Sequence, residues 1–236
     1  MIGMHLANAA AMWASRAAGA VRGDGYLLAE HAAGARVILL GAQARPERVL
    51  GLAPRRTLVV EDAFGVIEPG PGTVRMPVMI RRPGRVAAPP AGVRVSEVHD
   101  PDELAVAERV IVDGFPLPAY QPWSPGRALS PDLLGRPGWR VWLGRHGGAP
   151  AAAAYTYDDG TAVGVYWLAT LPEHRSRGAG RAVLTAALAA CPDRHVTLVA
   201  TEAGRPLYES AGFVTAGVAA WHTRPPREPG PAAGGS

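Results

Sequence analysis

The stretch of sequence that decides the fold is Val165-Tyr166-Trp167-Leu168-Ala169-Thr170-Leu171-Pro172-Glu173-His174-Arg175-Ser176-Arg177-Gly178-Ala179-Gly180-Arg181. Its apolar first part predicts a buried strand, and the residues after the glycines predict a helix. Residues without a Cβ atom let the backbone approach a ligand and expose its N–H groups. Unpaired amides at a helix start form an anion site, and arginine adds charge-assisted bonds. This strand–turn–helix unit therefore predicts a site for a pyrophosphate.

The segments around this unit set the fold class. Strands are predicted at residues 93–98, 139–143, 151–157, 163–170 and 196–200, with a final strand pair around 213–221. Helices are predicted after Asp100, at 179–190 and at 206–210, and Asp158-Asp159-Gly160 reads as a hairpin turn. This order predicts an α/β (α+β) fold with a mixed, mostly antiparallel central sheet flanked by helices.

A joint rich in proline, arginine and glycine divides the chain at residues 81–92. Before it, a helix at 8–20 and β-branched runs at 37–40, 57–60 and 74–80 predict an α+β unit. We therefore predict an N-terminal domain at 1–86, a catalytic domain at 92–224 and a disordered tail at 225–236.

Composition excludes several classes of protein. Apolar residues make up 48% of the chain and charged residues 19%, which excludes a disordered chain. All 24 basic residues are arginine, which fits either a GC-rich genome or anionic ligands. Residues 1–92 hold 11 arginines against 6 acids, whereas 93–224 hold 12 against 13. The near-neutral second part argues against nucleic-acid binding, despite a pI of about 9.7.

Cysteine usage and the N-terminus bear on location. The single Cys191 excludes an internal disulfide and a cysteine metal cluster, and we expect no metal. Residues 1–21 lack the basic start and unbroken apolar run of a signal peptide, and no stretch has the length and apolarity of a bilayer span. These features predict a cytoplasmic protein without a membrane partner.

A second segment, at residues 203–213, strengthens the interpretation of the glycine-rich turn. About 20 residues after the glycine-rich turn, a strand leads into Ala203-Gly204-Arg205-Pro206-Leu207-Tyr208-Glu209-Ser210-Ala211-Gly212-Phe213. Together the two segments resemble the acetyl-CoA-binding motif and the tyrosine-containing motif of the GNAT superfamily of N-acetyltransferases, over residues 93–224. The resemblance implies an acyl-CoA N-acyltransferase fold with acetyl-CoA as co-substrate.

The same resemblance assigns roles to individual residues. It places the coenzyme A phosphates on Arg175, Ser176, Arg177, Gly178, Ala179, Gly180 and Arg181. It pairs the pantetheine with the backbone of Leu168, Ala169 and Thr170, one of whose N–H groups meets the oxyanion. Tyr208 becomes the general acid for the leaving thiolate, since a phenol and a thiol differ little in pKa. The alternative is that Tyr208 only packs a short helix.

The sequence says less about the general base and about the residues that bind the acceptor amine. No carboxylate lies on strand 163–170, and Glu173, His174 and Glu202 are better explained as surface residues. The proline-rich segment with Tyr120 and Trp123 either forms an apolar wall for the acceptor or simply covers the core. The first 90 residues are interpreted as a degenerate or partial acetyltransferase-like half.

The function predicted is acetyl transfer from acetyl-CoA to a primary amine, on a small molecule or a peptide. A non-catalytic acyl-CoA sensor and a basic nucleic-acid-associated protein are the alternatives. Whether the protein forms a homodimer is left open by the sequence.

Overall fold

A computed structural model gives the structure of the protein and describes residues 1–115 and 117–227. The chain folds into two compact units. The first unit consists of Met1–Met12 and Pro77–Gly217, and the second of Trp13–Met76 and the chain from Val218 onward. The division into domains at 1–86 and 92–224 stays a prediction. The tail beyond residue 227 lies outside the described residues.

The elements follow one another along the chain in this order: α1 (Ile2–Arg16), β1 (Gly19–Gly23), β2 (Tyr26–His31), β3 (Gly34–Leu39), α2 (Pro46–Leu50), β4 (Leu58–Asp62), β5 (Thr73–Arg81), β6 (Val93–Glu97), α3 (Pro101–Gly114), β7 (Trp139–His146), β8 (Ala149–Asp158), β9 (Ala162–Thr170), α4 (Ala179–Ala189), β10 (His195–Val199), α5 (Arg205–Ser210) and β11 (Val214–Arg224). Short 3-10 turns lie at Pro118–Tyr120, Pro131–Gly135 and Pro172–His174.

In the first unit the strands lie in the order β5-β10-β9-β8-β7-β6. Only β10 and β9 are parallel, and all the other neighbours are antiparallel. In the second unit the order is β1-β2-β3-β4-β11, with β3 and β4 as the parallel pair. A mixed, mostly antiparallel sheet with helices is the predicted fold class, which is confirmed.

Helices cover both faces of the first unit's sheet. Ala152 and Ala154 pack against Val183 of α4, and a Cβ atom on Gly144 would lie 2.8 Å from Val183 Cγ2. The small side chains of β7 and β8 therefore let α4 lie close to the sheet. On the opposite face the Tyr155 hydroxyl contacts the sulfur of Met12 in α1, because successive strand residues alternate between faces.

Local signals explain where two of these elements begin and turn. The carboxylate of Asp100 accepts the backbone N–H of Glu103 at 2.9 Å, and Pro101 opens α3. Asp159 accepts the N–H groups of Thr161 and Ala162 in the turn that joins β8 to β9. Both the helix start and the hairpin turn lie where the sequence predicts them.

Three elements differ from the sequence-based prediction. α1 begins at Ile2 rather than residue 8, and residues 19–31 form the unpredicted hairpin β1–β2. That hairpin has a two-residue Asp24-Gly25 turn with Gly25 at φ 76°, a recognisable signal. The predicted last strand pair is one strand, β11, which pairs with β4.

Candidate functional site

The parallel strands β9 and β10 part from each other. They pair at three positions, ending with Gly164 and Thr197, although β9 runs on to Thr170 and β10 to Val199. Backbone groups of β9 that point toward β10 beyond Gly164 therefore have no strand partner within the described residues. In sheets with parallel strands, ligands bind at the carboxyl ends of the strands where the chain directions diverge. The gap between β9 and β10 is such a place, and we call it the strand opening.

A bulge in β9 lies at the strand opening. Trp167 has φ 49°, and the register with β8 shifts between Ala153 and Tyr155. The rings of Tyr166 and Trp167 both contact the ring of Tyr155, each with centroids 5.4 Å apart. Successive residues of a regular strand would point to opposite faces, so the bulge reorients the backbone just before Leu168. No sequence signal marked this bulge.

The turn after β9 presents unpaired amides. Ser176 and Gly178 both have positive φ, 61° and 82°. The first hydrogen bond of α4 runs from Ala182 N–H to Gly178 O at 2.9 Å, so the N–H groups of Ala179, Gly180 and Arg181 have no acceptor within the helix. Amides at a helix start carry the positive end of the dipole. This arrangement can bind a phosphate, and the assignment of the coenzyme A phosphates to it stays a prediction.

Glycine at position 180 allows the helix start to lie against the strand opening. A Cβ atom there would be 2.8 Å from Thr170 Oγ1 and 3.9 Å from Leu207 Cδ2 of α5. The end of β9, the first turn of α4 and the start of α5 are thus brought together. Of the predicted pantetheine-binding residues, Ala169 is buried, and Leu168 and Thr170 are half-buried at this edge.

The arginines of the turn divide into two kinds. Arg175 donates to Thr170 O at 3.3 Å and to Gly114 O at 3.2 Å, so it connects the turn to β9 and α3. Arg177 and Arg181 are exposed, and neither forms an ion pair or side-chain hydrogen bond with the part of the chain that the structure describes. These two guanidinium groups are therefore available to an anion. Arg175 also holds the turn in place, and its role in binding phosphate stays a prediction.

Tyr208 of α5 lies in an apolar cluster with Val165 of β9 and Ala200, which follows β10. It is 8% exposed, and its ring meets Phe213 edge to face at 5.9 Å. Burial raises the pKa of Tyr208 to about 12. The gap to a thiol of pKa about 8.5 is then roughly 3.5 units, or about 5 kcal/mol, larger than the sequence suggested. The hydroxyl keeps its proton and is suited to hydrogen-bond a developing thiolate.

The proposed acceptor segment is held in place by a buried acid. Tyr120 is 4% exposed, and its ring lies edge-on to Trp167 at 5.7 Å. Glu108 of α3 is fully buried, and its carboxylate accepts the N–H groups of Gly126, Ala128 and Leu129. These bonds fix the loop just after Trp123, whose ring lies 5.5 Å from the guanidinium of Arg109.

Sequence reasoning missed Glu108, although a signal existed. On α3 it lies on the apolar stripe with Leu104 and Ile111, where a carboxylate needs hydrogen-bond donors. The predicted surface residues Glu173 and Glu202 are exposed. His174 is half-buried, with its ring centroid 5.8 Å from that of His146.

Among the described residues, no group of three or more His, Cys, Asp or Glu side chains is placed to hold a metal. No helix among them has the length and apolar character needed to cross a membrane.

The strand opening, the amide-lined helix start and Tyr208 all lie in the part of the chain that a known family model matches. Residues 137–215 match the family model described as an acetyltransferase (GNAT) domain, so this part of the chain is a GNAT acetyltransferase domain. No curated protein sequence matches the chain.

Solved structures have a similar fold. A GCN5-related N-acetyltransferase from Kribbella flavida is similar at TM-score 0.64 and 19% identity, covering 96% of each chain. One from Sphaerobacter thermophilus has TM-score 0.60 and 14% identity, over 86% of this chain and 78% of that one. A tandem GNAT protein from the clavulanic acid biosynthesis pathway has TM-score 0.52 and 22% identity, over 86% and 79%. At these identities the likeness concerns the fold.

The second unit has the same order of elements but no strand opening. Strands β1 to β3 followed by α2 and the parallel β4 match β7 to β9 followed by α4 and β10. However, β3 and β4 pair up to Ile38 and Glu61, one residue before the end of each strand. α2 has five residues and begins with Pro46 after Arg45, without a glycine pair. A thioester arm would find no gap between these strands.

Proposed function

We propose that the first unit transfers an acetyl group from acetyl-CoA to a primary amine. The observation that carries this proposal is the parting of β9 and β10 beside a helix start with three unpaired amides. A thioester with a long, amide-containing arm and a diphosphate matches both features. The arm would pair with the free edge of β9 at Leu168 to Thr170, and the diphosphate would bind the amides of Ala179 to Arg181.

The chemistry needs no covalent enzyme intermediate. The amine nitrogen attacks the thioester carbonyl, so a C–N bond forms and the C–S bond breaks. A backbone N–H of β9 near the Trp167 bulge would stabilise the charge on the carbonyl oxygen, because a fixed donor in a water-poor gap needs no reorganisation. The amine proton passes to water.

Tyr208 would supply the proton that the departing sulfur needs. Its hydroxyl stays protonated well above neutral pH because burial raises its pKa to about 12. Proton transfer to the sulfur remains uphill even after the C–S bond has broken, because a thiol has a pKa of about 8.5, so the group acts mainly as a hydrogen-bond donor to the developing thiolate. A proton that it does transfer is regained from solvent.

The acceptor amine would enter on the side of Tyr120 and Trp123. The Tyr120 ring contacts Trp167 at the bulge, which brings this loop next to the backbone that would hold the thioester. The second unit, with its closed strand pair, would be a degenerate half without a cofactor. Similarity to a tandem GNAT protein supports this interpretation.

A thiol-release screen tests the proposal. Full-length protein is mixed with acetyl-CoA and, separately, with polyamines, small metabolite amines, antibiotics that carry amino groups, and peptides with free N-termini. The acetylated products are identified by mass spectrometry. We expect release with at least one amine class and a much smaller rate for Tyr208→Phe. Acetyl-CoA binding without release for any amine would instead indicate a sensor.

A further inference from the structure

Four aromatic rings follow one another on the sheet face that is opposite α4. Neighbouring ring centroids lie 5.4 to 5.7 Å apart, and the rings are, in order, Tyr120, Trp167, Tyr155 and Tyr166. We call them the aromatic row. Tyr120 and Tyr155 are buried, whereas Trp167 and Tyr166 are half-buried. The last two rings can therefore contact a ligand.

The aromatic row borders the closed end of the strand opening. Gly164 is the last residue of β9 that pairs with β10, and a Cβ atom on it would lie 2.5 Å from the hydroxyl oxygen of Tyr166. The Tyr166 ring therefore lies over Gly164. A thioester arm that starts at the turn before α4 and runs back along β9 from Thr170 to Leu168 would bring its carbonyl end toward Trp167. The attacking amine would then lie beside the row.

Asn8 of α1 determines which way the Tyr166 hydroxyl points. Asn8 is fully buried, and its amide nitrogen donates to Tyr157 O at 3.1 Å and to Ala162 O at 3.0 Å. Because both amide protons are used, the side-chain oxygen of Asn8 faces Tyr166 and accepts its hydroxyl proton at 2.6 Å. The proton of Tyr166 is thus committed to Asn8. Toward a ligand the phenol oxygen can only accept, which suits the N–H groups of an amine.

The segments that carry and border the row provide no carboxylate for a ligand. Strand β9, residues 2–12 of α1 and the described loop residues 117–129 contain no aspartate or glutamate. The acids of β8 and of the second half of α3 are already bonded within the protein: Glu108 to three backbone N–H groups, Asp113 to Arg109, and Asp158 to Arg194. A ligand with several ammonium groups would find no counter-charge here.

We propose that the acceptor is an amine with one basic group on an aromatic or similarly flat apolar frame. Its ring would stack on the half-buried rings of Trp167 and Tyr166, and its nitrogen would donate an N–H to the Tyr166 oxygen, which leaves the lone pair directed away from Tyr166. Ring stacking and apolar burial favour such a frame over a polyamine or an amino sugar. Asn8 acts through Tyr166 as a positioning residue. The inference rests on the proposed function, because the thioester defines where the amine lies.

Steady-state kinetics with two amines tests the substrate class. Full-length protein and acetyl-CoA are combined with 2-phenylethylamine or with 1,4-diaminobutane, and kcat/KM for 2-phenylethylamine should be higher by about tenfold or more. Tyr166→Phe should lower kcat/KM for 2-phenylethylamine about tenfold and leave the KM of acetyl-CoA within about twofold. The preference for the aromatic amine should persist, because the ring at position 166 remains. Tyr157→Phe, on the neighbouring strand, is the matched control and should change neither value.

A double-mutant cycle tests the positioning role of Asn8. Asn8→Ala should lower kcat/KM for the amine about fivefold, because the Tyr166 hydroxyl can then rotate its proton toward the ligand. Combined with Tyr166→Phe it should add little, since the hydroxyl through which Asn8 acts is already gone. An equal loss from Asn8→Ala in both backgrounds would reject this role and indicate a merely structural one.

Calorimetry of 2-phenylethylamine in the presence of coenzyme A separates the inference from the proposed function. Binding that Tyr166→Phe weakens, without acetyl transfer, would support the amine site and overturn the proposed function. Transfer to 1,4-diaminobutane that is at least as efficient would overturn the substrate class and leave the proposed function intact. An unchanged kcat/KM in Tyr166→Phe would overturn the assignment of Tyr166. Absence of both binding and transfer of 2-phenylethylamine would overturn the inference as a whole.

Discussion

Gly180 leaves no room for a side chain beside Thr170 across the turn between β9 and α4. A Cβ atom on Gly180 would lie 2.8 Å from Thr170 Oγ1, closer than side chains tolerate. The helix start with its unpaired amides is thus held against the end of the strand that borders the opening. The absence of a side chain at Gly180 therefore lets the places where a thioester arm and a diphosphate would bind lie next to each other.

Gly180→Ala should therefore move the helix start and weaken coenzyme A binding by about tenfold, because charge-assisted bonds to phosphate depend on donor position. Calorimetry measures the change. Gly70→Ala is the control, since a Cβ atom at Gly70 meets nothing within 4 Å. Thr170→Ala removes the clashing oxygen, so the double variant Gly180→Ala, Thr170→Ala should recover much of the affinity. An affinity of Gly180→Ala equal to that of the wild type would show that this close approach does not position the amides.

The turn at 175–181 could be predicted because local chemistry determines it. Glycines, a strand end and a helix start lie within one short segment, and the family resemblance adds the order of motifs. The bulge at Trp167 and the role of Arg175 as a link to Gly114 depend on tertiary contacts, which no spacing reveals. The same holds for β11, since its partner β4 lies far away in the sequence.

Tyr208 should not limit activity at alkaline pH. Its pKa of about 12 keeps the hydroxyl protonated across the range of ordinary assays, so kcat should show no loss from ionisation of this group between pH 8 and pH 10. Tyr208→Phe should lower kcat about 100-fold and leave the coenzyme A Kd within about twofold. Tyr157→Phe is the matched control. A fall of wild-type kcat near pH 9 that disappears in Tyr208→Phe would contradict the raised pKa.

Replacing Glu108 should affect the binding of the acceptor amine more than the binding of acetyl-CoA. In Glu108→Gln one carboxylate oxygen becomes an NH2 group facing backbone N–H donors, at a cost of about 2 kcal/mol in stability. The loop with Tyr120 and Trp123 should loosen, raising the KM of the amine several-fold and leaving that of acetyl-CoA unchanged. Steady-state kinetics and thermal unfolding measure both effects. Asp102→Asn, an exposed acid of the same helix, should change neither, and a merely structural Glu108 would lower Tm without moving the amine KM.

His31 should make the second unit sensitive to acid. Burial, together with the charges of Arg16, Arg36 and Arg56, lowers the pKa of His31 to about 4. The unfolded chain binds the proton near pH 6.5, so stability present above pH 6.5 is lost as the pH falls toward 4. Between pH 7 and pH 4.5 the free energy of unfolding should fall by about 2 kcal/mol because of His31. Urea unfolding of wild type and His31→Gln at both pH values measures it, and equal pH dependence of the two proteins would reject the assignment.

The first unit should not fold from residues 93–224 alone. Asn8 of α1 is fully buried, donates to Tyr157 O and Ala162 O, and accepts the Tyr166 hydroxyl at 2.6 Å. β10 takes its antiparallel partner from residues 78–81 of β5. A 93–224 fragment lacks both, so its Tyr166 hydroxyl loses a partner and β10 becomes an open edge. We expect an insoluble or unfolded fragment by circular dichroism, whereas Asn8→Ala in the full chain should fold and lose about 2 kcal/mol. A soluble fragment with full thiol-release activity would mean that α1 and β5 are dispensable for the strand opening.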